Sequence, residues 1–143
     1  MILGGTFDRF HRGHMFLLGL AVILGRKIVV GVSSDEFASD KPHAVEPFTE
    51  RLEKVSGFLK SIGCRRFEVV KLDDFAGPAK SLKEGSLLVT SNNMKRGLLI
   101  NRIRVERSLP PLEIILAPLL EAEDSKPISS TRIRMGEVDE KGF

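Results

Sequence analysis

Short apolar or β-branched runs alternate with helix-length segments along almost the whole chain, and this rhythm restricts it to an α/β architecture. Ile2-Leu3 opens a first strand that ends at Gly4-Gly5. Lys27–Val32, Phe67–Leu72, Ser86–Thr90 and Glu113–Ala117 read as four more. Between them, His14–Leu24 is apolar and helix-length, with Gly25 as its stop, and Thr49–Ile62 is amphipathic. In the second helix Leu52, Val55, Phe58, Leu59 and Ile62 recur at helical spacing before Gly63. Ser33–Ala38 reads as a short helix capped by Ser34 or Asp35. A further helix is expected from about Gly97 to Ser108, because Pro110-Pro111 cannot continue it. The pattern predicts a three-layer α/β sandwich around a mostly parallel, five-stranded sheet. In such sheets ligands bind outside the carboxyl ends of the strands, at a switch point. The polar junctions after strand one and before the last helix are therefore expected to face one cleft.

Length and composition narrow the class. The 143 residues suit one domain, expected to span 1–143. The net charge of +3 is small, and basic residues are scattered except between Lys95 and Arg107, so duplex nucleic acid is not an expected partner. Cys64 is the sole cysteine, which excludes an intramolecular disulfide and suits a reducing, cytoplasmic setting. The longest apolar run, Met15 to Leu24, reaches about half of the ~20 residues that span a bilayer, so no membrane association is expected and the run reads as a buried helix. With no basic stretch ahead of the first strand, no signal peptide is expected. A monomer satisfies the sequence, which leaves the oligomeric state open.

The first chemical motif joins strand one to the next helix: Gly4-Gly5-Thr6-Phe7-Asp8-Arg9-Phe10-His11-Arg12-Gly13-His14. It lacks the glycine spacing of a dinucleotide fingerprint and the Gly-Lys-Ser/Thr of a P-loop. Its glycines let backbone approach a ligand, and Gly13 leaves room for a flat group such as an adenine ring. His14 lies at a helix start, where free N–H groups and the dipole favour an anion, and imidazoles there can donate to phosphate oxygens. The competing readings are solvated surface histidines, or a metal site made by His11, His14 and Asp8. No second set of ligands at metal spacing accompanies them.

The second motif is Lys126-Pro127-Ile128-Ser129-Ser130-Thr131-Arg132-Ile133-Arg134. Three hydroxyl residues in a row exceed what one helix cap needs. Arg132 and Arg134 add charge that can pair with phosphate. A third candidate is Lys41, in the loop after strand two. As a point charge on a flexible stem it could reach two phosphates at once.

His11-Arg12-Gly13-His14 resembles the His-x-Gly-His signature of the nucleotidyltransferase superfamily, which class I aminoacyl-tRNA synthetases share. Gly5-Thr6-Phe7-Asp8 ahead of it has the form seen in the small transferases. Ile128-Ser129-Ser130-Thr131 followed by Arg134 is similar to the superfamily's second signature. Val32–Ala38, Asp74–Ala79, Ile100–Arg104, Glu106–Leu112 and Ile128–Glu137 extend the likeness across nearly the whole chain. Together they look like the archaeal phosphopantetheine adenylyltransferases and the related domain of eukaryotic coenzyme A synthase. One stretch departs from that pattern. Relatives carry a serine followed closely by Glu-Thr, where this chain has Ser91-Asn92-Asn93-Met94. Asparagine keeps the hydrogen bonding and loses the charge.

The resemblance implies a Rossmann-like nucleotidyltransferase fold and a reaction. ATP and 4′-phosphopantetheine would give dephospho-coenzyme A and pyrophosphate, reversibly, as a step of coenzyme A synthesis. It implies catalytic roles for His14, supported by His11, and for Lys41 and Arg132. ATP would contact Gly5, Thr6, Phe7, Asp8, His11, His14, Ser91, Ile128, Ser129, Ser130, Thr131 and Arg132. The acceptor would contact Thr6, Asp8, Lys41 and Asp74. Magnesium would arrive on the ATP phosphates, with no dedicated protein cage. Two other readings stay open: a sibling transferase acting on flavin mononucleotide, nicotinamide mononucleotide or a phosphoalcohol, and a non-catalytic nucleotide- or coenzyme A-binding module.

Overall fold

A computed structural model describes residues 1–39, 44–119, 129, 133 and 139–142. The five strands are β1 (Ile2–Gly5), β2 (Ile28–Ser33), β3 (Phe67–Leu72), β4 (Ser86–Val89) and β5 (Glu113–Leu116). They form one sheet in the order β3-β2-β1-β4-β5, and every pairing is parallel. The helices bounded within the described residues are α1 (Arg12–Leu24), the one-turn α2 (Asp35–Ala38), α3 (Phe48–Ser61) and α4 (Met94–Glu106). Single 3₁₀ turns occupy Gly77–Lys80 and Ser91–Asn93.

The strand residues alternate between two apolar layers, as parallel strands covered on both faces require. Leu3, Val30 and Val32 join Leu18 and Ala21 of α1 and Val55 and Leu59 of α3. Ile2, Leu87 and Val89 pack on the opposite side with Ala76, Ala79 and Ile100 of α4. The chain runs from β1 outward to β3, then crosses back so that β4 lies against β1. The carboxyl ends of β1 and β4 therefore part where the winding reverses, and a crevice opens there.

Several expectations change in detail. Helix α1 is not a fully buried helix: Leu18 and Ala21 are inside, while Ile23 is 80% exposed and Phe16 and Leu24 also face outward. Gly25 ends α1 in an extended conformation, not a left-handed one. It is glycine because a Cβ would come within 2.6 Å of the Met1 Cβ. Gly63 supplies the left-handed turn after α3 (φ 80°), with Cys64 N–H donating to the Leu59 carbonyl and Gly63 N–H to Lys60. Ile62 lies past the helix and is exposed. Helix α4 starts three residues earlier than Gly97, because the turn at Ser91–Asn93 feeds directly into it.

Leu72, at the end of β3, reaches across the sheet. A Cβ on Gly31 would meet three of its side-chain atoms at 2.6 Å, and one on Gly77 (φ 47°) would meet it at 2.2 Å. Gly31→Ala is expected to destabilise the fold by about 1–3 kcal/mol through overpacking. Leu72→Ala should then cost less in that background than in the native chain. Denaturant unfolding of both single variants and the double variant measures the coupling, and strict additivity would refute the contact.

Candidate active site

The crevice between β1 and β4 has a volume of about 390 Å³. Its wall includes Gly4 to Asp8, His11, Gly13 and His14 from the first motif, and Ser129 from the second. Thr90, Asn92, Asn93 and Arg96 line the β4 side, while Phe37, Val45, Leu72 and Phe75 form an apolar stretch elsewhere on the wall. The two motifs, at opposite ends of the sequence, thus meet at the switch point. Ile133 N–H donates to the Ser129 carbonyl (3.1 Å).

The first motif is held in a strained path. Phe7 and Arg9 adopt left-handed backbone (φ 55° and 49°), which typically costs about 1–3 kcal/mol per residue outside glycine. Phe7 is buried, and a Cβ on Gly5 would approach its ring at 3.2 Å, so Gly5 makes room for that ring. Asp8 is buried and its Oδ1 accepts the Glu46 N–H at 3.0 Å. Thr6 Oγ1 lies 3.4 Å from Ser33 Oγ, which itself donates to the Gly5 carbonyl at 3.4 Å.

The two histidines form a reciprocal capping box at the start of α1. His11 Nδ1 accepts from the N–H groups of Gly13 (3.0 Å) and His14 (3.4 Å), and His14 Nδ1 accepts from the His11 N–H (3.2 Å). The rings stack with centroids 3.6 Å apart, and Phe7 and Phe10 flank His14. Because both Nδ1 atoms accept, each neutral ring carries its proton on Nε2, leaving two N–H donors of one kind in the cleft. Burial pushes the His11 imidazolium down to about 4, against a smaller upward pull from Glu140. Burial, then the neighbouring His11, holds His14 well below the usual histidine range. Both are neutral donors at pH 7.

One expectation about this helix start is overturned. The N–H groups are not free for an anion. Arg12 N–H donates to the Glu140 carbonyl (2.9 Å), Gly13 and His14 to His11 Nδ1, and Met15 to the His11 carbonyl (3.0 Å). The helix dipole and the Nε2–H groups are what this helix start can still offer an anion; the backbone donors are satisfied internally.

The neutral histidines predict a pH response. A base whose folded pKa is depressed binds fewer protons folded than unfolded, so stability falls as pH drops below the unfolded value. Stability is therefore complete above about pH 6.5 and falls toward pH 4, with His11 contributing a slope of up to about 1.4 kcal/mol per pH unit. Asp74, held below 3.8 by the Gly77 N–H and Lys80, loses its contribution only at still lower pH. Urea midpoints at pH 7, 6 and 5 measure the effect, and midpoints that stay level would contradict the neutral pair.

The other expected site residues fall in different places. Ser91 is exposed and does not line the cleft, because the 3₁₀ turn faces it away while Thr90, Asn92 and Asn93 do line it. Asp74 is not on the cleft wall either. Its carboxylate accepts from the N–H groups of Ala76 (3.0 Å) and Gly77 (2.7 Å) and from Lys80 Nζ (2.9 Å), which closes the local turn. Lys41, Ile128, Ser130, Thr131 and Arg132 lie outside the described residues. Sequence reasoning missed Asn92, Asn93 and Arg96 as cleft residues on the strength of charge alone, although the departure at Ser91-Asn92-Asn93 marked the place. It also missed Arg51, a fully buried cation on the same face of α3 as Val55 and Leu59, where a charge at apolar spacing was the available signal.

With this geometry in view, the sequence matches the cytidylyltransferase-like family over residues 2–136. The chain belongs to that family. It is 41% identical to a phosphopantetheine adenylyltransferase of Methanopyrus kandleri, across 98% of this chain and 90% of that protein. It is 38% identical to a bifunctional phosphopantetheine adenylyltransferase/NTP phosphatase of Thermoplasma volcanium, across 99% of this chain but only 43% of that protein. The chain thus spans less than half the length of the bifunctional relative. A crystal structure of an Archaeoglobus fulgidus protein superposes with a TM-score of 0.74 at 30% identity, covering 81% of this chain and 87% of that one.

Proposed function

We propose that this protein is a phosphopantetheine adenylyltransferase, transferring the adenylyl group of ATP to 4′-phosphopantetheine with release of pyrophosphate. One observation carries the reading: a single cleft at the switch point holds the histidine pair and Ser129 together, in a chain that parallels relatives of that name almost end to end. The acceptor phosphate is already a nucleophile near neutral pH, so no general base is required. Catalysis then consists of alignment and of neutralising charge that develops on the departing pyrophosphate.

His14 Nε2–H, supported by His11, would donate to the phosphates. Ser129, with Ser130, Thr131 and Arg132, would hold the departing pyrophosphate. Lys41 would bridge the acceptor phosphate and the α-phosphate. The apolar wall of Phe37, Val45, Leu72 and Phe75 suits a flexible, weakly polar arm such as pantetheine, beside Thr6 and Asp8. Thr90, Asn92, Asn93 and Arg96 offer the hydrogen bonds and charge that a nucleoside uses.

Magnesium would enter with ATP. Asp8 is the one carboxylate on the described cleft wall, and no cluster of three His, Cys, Asp or Glu exists among the described residues. That donor set suits an ion held chiefly by phosphate oxygens and water, where it would offset phosphate charge. Among the described residues no helix is long and apolar enough to cross a membrane.

The test is turnover with ATP and magnesium against a panel of acceptors. Dephospho-coenzyme A and pyrophosphate should form with 4′-phosphopantetheine. Efficient adenylylation of flavin mononucleotide, nicotinamide mononucleotide or a phosphoalcohol instead would move the chain to a sibling activity. Binding of dephospho-coenzyme A without pyrophosphate formation would make it a binding module.

A further inference from the structure

Arg51 has no solvent exposure, and it lies on the inward face of α3, one turn before Val55 and two before Leu59. Its guanidinium spans four partners. Nε donates to the Glu46 carbonyl (2.7 Å), Nη1 to the carbonyls of Thr6 (2.9 Å) and Ser33 (2.8 Å), and Nη2 to Asp35 Oδ1 (2.9 Å). These partners belong to separate segments: the loop after β1, the end of β2, the short α2 and the run into α3. Three of the four are backbone carbonyls, so the fork fixes main-chain positions directly.

The held segments carry one wall of the cleft. Thr6 and Ser33 line it, and their hydroxyls lie 3.4 Å apart. Glu46, gripped through its carbonyl, donates its N–H to Asp8 and accepts the Arg9 N–H on Oε1 (2.8 Å). Arg51 thus grips both sides of the strained stretch at Phe7 and Arg9, which needs outside restraint to persist. The histidine pair is restrained differently, by its own capping box and by Glu140, none of which involves Arg51.

We propose that Arg51 is a positioning residue for the acceptor side of the cleft. It sets Thr6, Asp8 and Ser33 without touching either substrate; Thr6 and Asp8 are expected to meet ATP as well, but the hold on the ATP phosphates stays with the histidine box. The assignment rests on the function proposed above for its kinetic readout, and on main-chain geometry alone for its structural one.

The test compares Arg51→Lys with the native chain. Lysine keeps the charge but cannot span a four-point fork. The KM for 4′-phosphopantetheine is expected to rise about five- to twentyfold, with the dissociation constant for ATP held within about twofold. Amide exchange should accelerate at residues 6–9 and 46 while staying unchanged at 12–15. Equal losses toward both substrates, or exchange that rises uniformly, would reduce Arg51 to general support of the fold and overturn the proposal. If the native chain makes no dephospho-coenzyme A, the function fails, and the exchange pattern still decides the Arg51 assignment. If Arg51→Lys does not fold, Asp35→Ala removes one exposed arm of the fork and should show the same asymmetry at smaller amplitude; symmetric effects there carry the same refutation.

Discussion

His14→Ala is expected to lower kcat by about a hundred- to a thousandfold while leaving the fold in place, the scale found when one preorganised donor to a transition-state oxyanion is removed. The size follows from the state of the ring. His14 is neutral, its Nδ1 is engaged by the His11 N–H, and Nε2–H is the donor that remains. That donor is fixed by stacking against His11 and by the Phe7 and Phe10 rings, so it needs no reorganisation during reaction. Truncation removes it without leaving a buried charge behind. The structural loss is one hydrogen bond to the His11 N–H, on the order of 1 kcal/mol, together with the ring contacts to His11, Phe7 and Phe10. Kinetics with the cognate acceptor, alongside a melting curve, separate the two effects. Turnover within threefold of the native chain would remove His14 from the reaction, even if ATP still bound.

The second large effect is one of stability. Arg104, in α4, is as fully buried as Arg51, and among the described residues its hydrogen-bond partners are all backbone carbonyls. Its guanidinium donates to the carbonyls of Pro110 (2.9 Å), Ala79 (2.8 Å), Leu82 and Lys83 (3.0 Å). It therefore pins both the crossover into β4 and the approach to β5 onto one helix. Asn101, one turn earlier, reinforces this by pairing with both backbone groups of Leu112 (2.9 and 2.7 Å). Arg104→Leu keeps apolar bulk but strips several carbonyls of their donor. The expected cost is about 3–5 kcal/mol, or a melting temperature lower by roughly 10–15 °C. Arg102 on the same helix is the control: it is exposed and only 3.6 Å from Glu106, so Arg102→Ala should change stability by less than about 0.5 kcal/mol. Similar melting curves for the two variants would contradict the clip.

The two buried arginines also show where sequence reading stops. In α3, Leu52, Val55, Phe58 and Leu59 announce the inward face by spacing. Spacing also places Arg51 on that inward face, unlike the exposed Lys54 and Lys60, but it cannot say what a buried cation there would grip, because carbonyl acceptors on distant loops leave no trace in the residue's own neighbours. The same holds for Asp74. Its place in a motif-like stretch suggests a ligand contact, whereas its oxygens close a local turn. For α1, composition predicts full burial, but a sheet can cover only one side of a helix, and Phe16 and Ile23 remain outside.

The sequence by itself determined the strand–helix alternation, the parallel α/β class and the histidine motif, because periodicity, β-branching and glycine placement act locally and are written residue by residue. It also carried the family likeness, which membership in the cytidylyltransferase-like family bears out. Only the tertiary structure decided the strand order β3-β2-β1-β4-β5, and with it the crevice where Ser129 meets His11 and His14. It alone decided that the first helix's backbone donors are spent on His11 and on Glu140, which leaves Nε2–H as the donor each neutral ring retains. The reason is physical: which donors and acceptors remain open depends on groups far apart in the chain, and those meet only when the sheet is assembled.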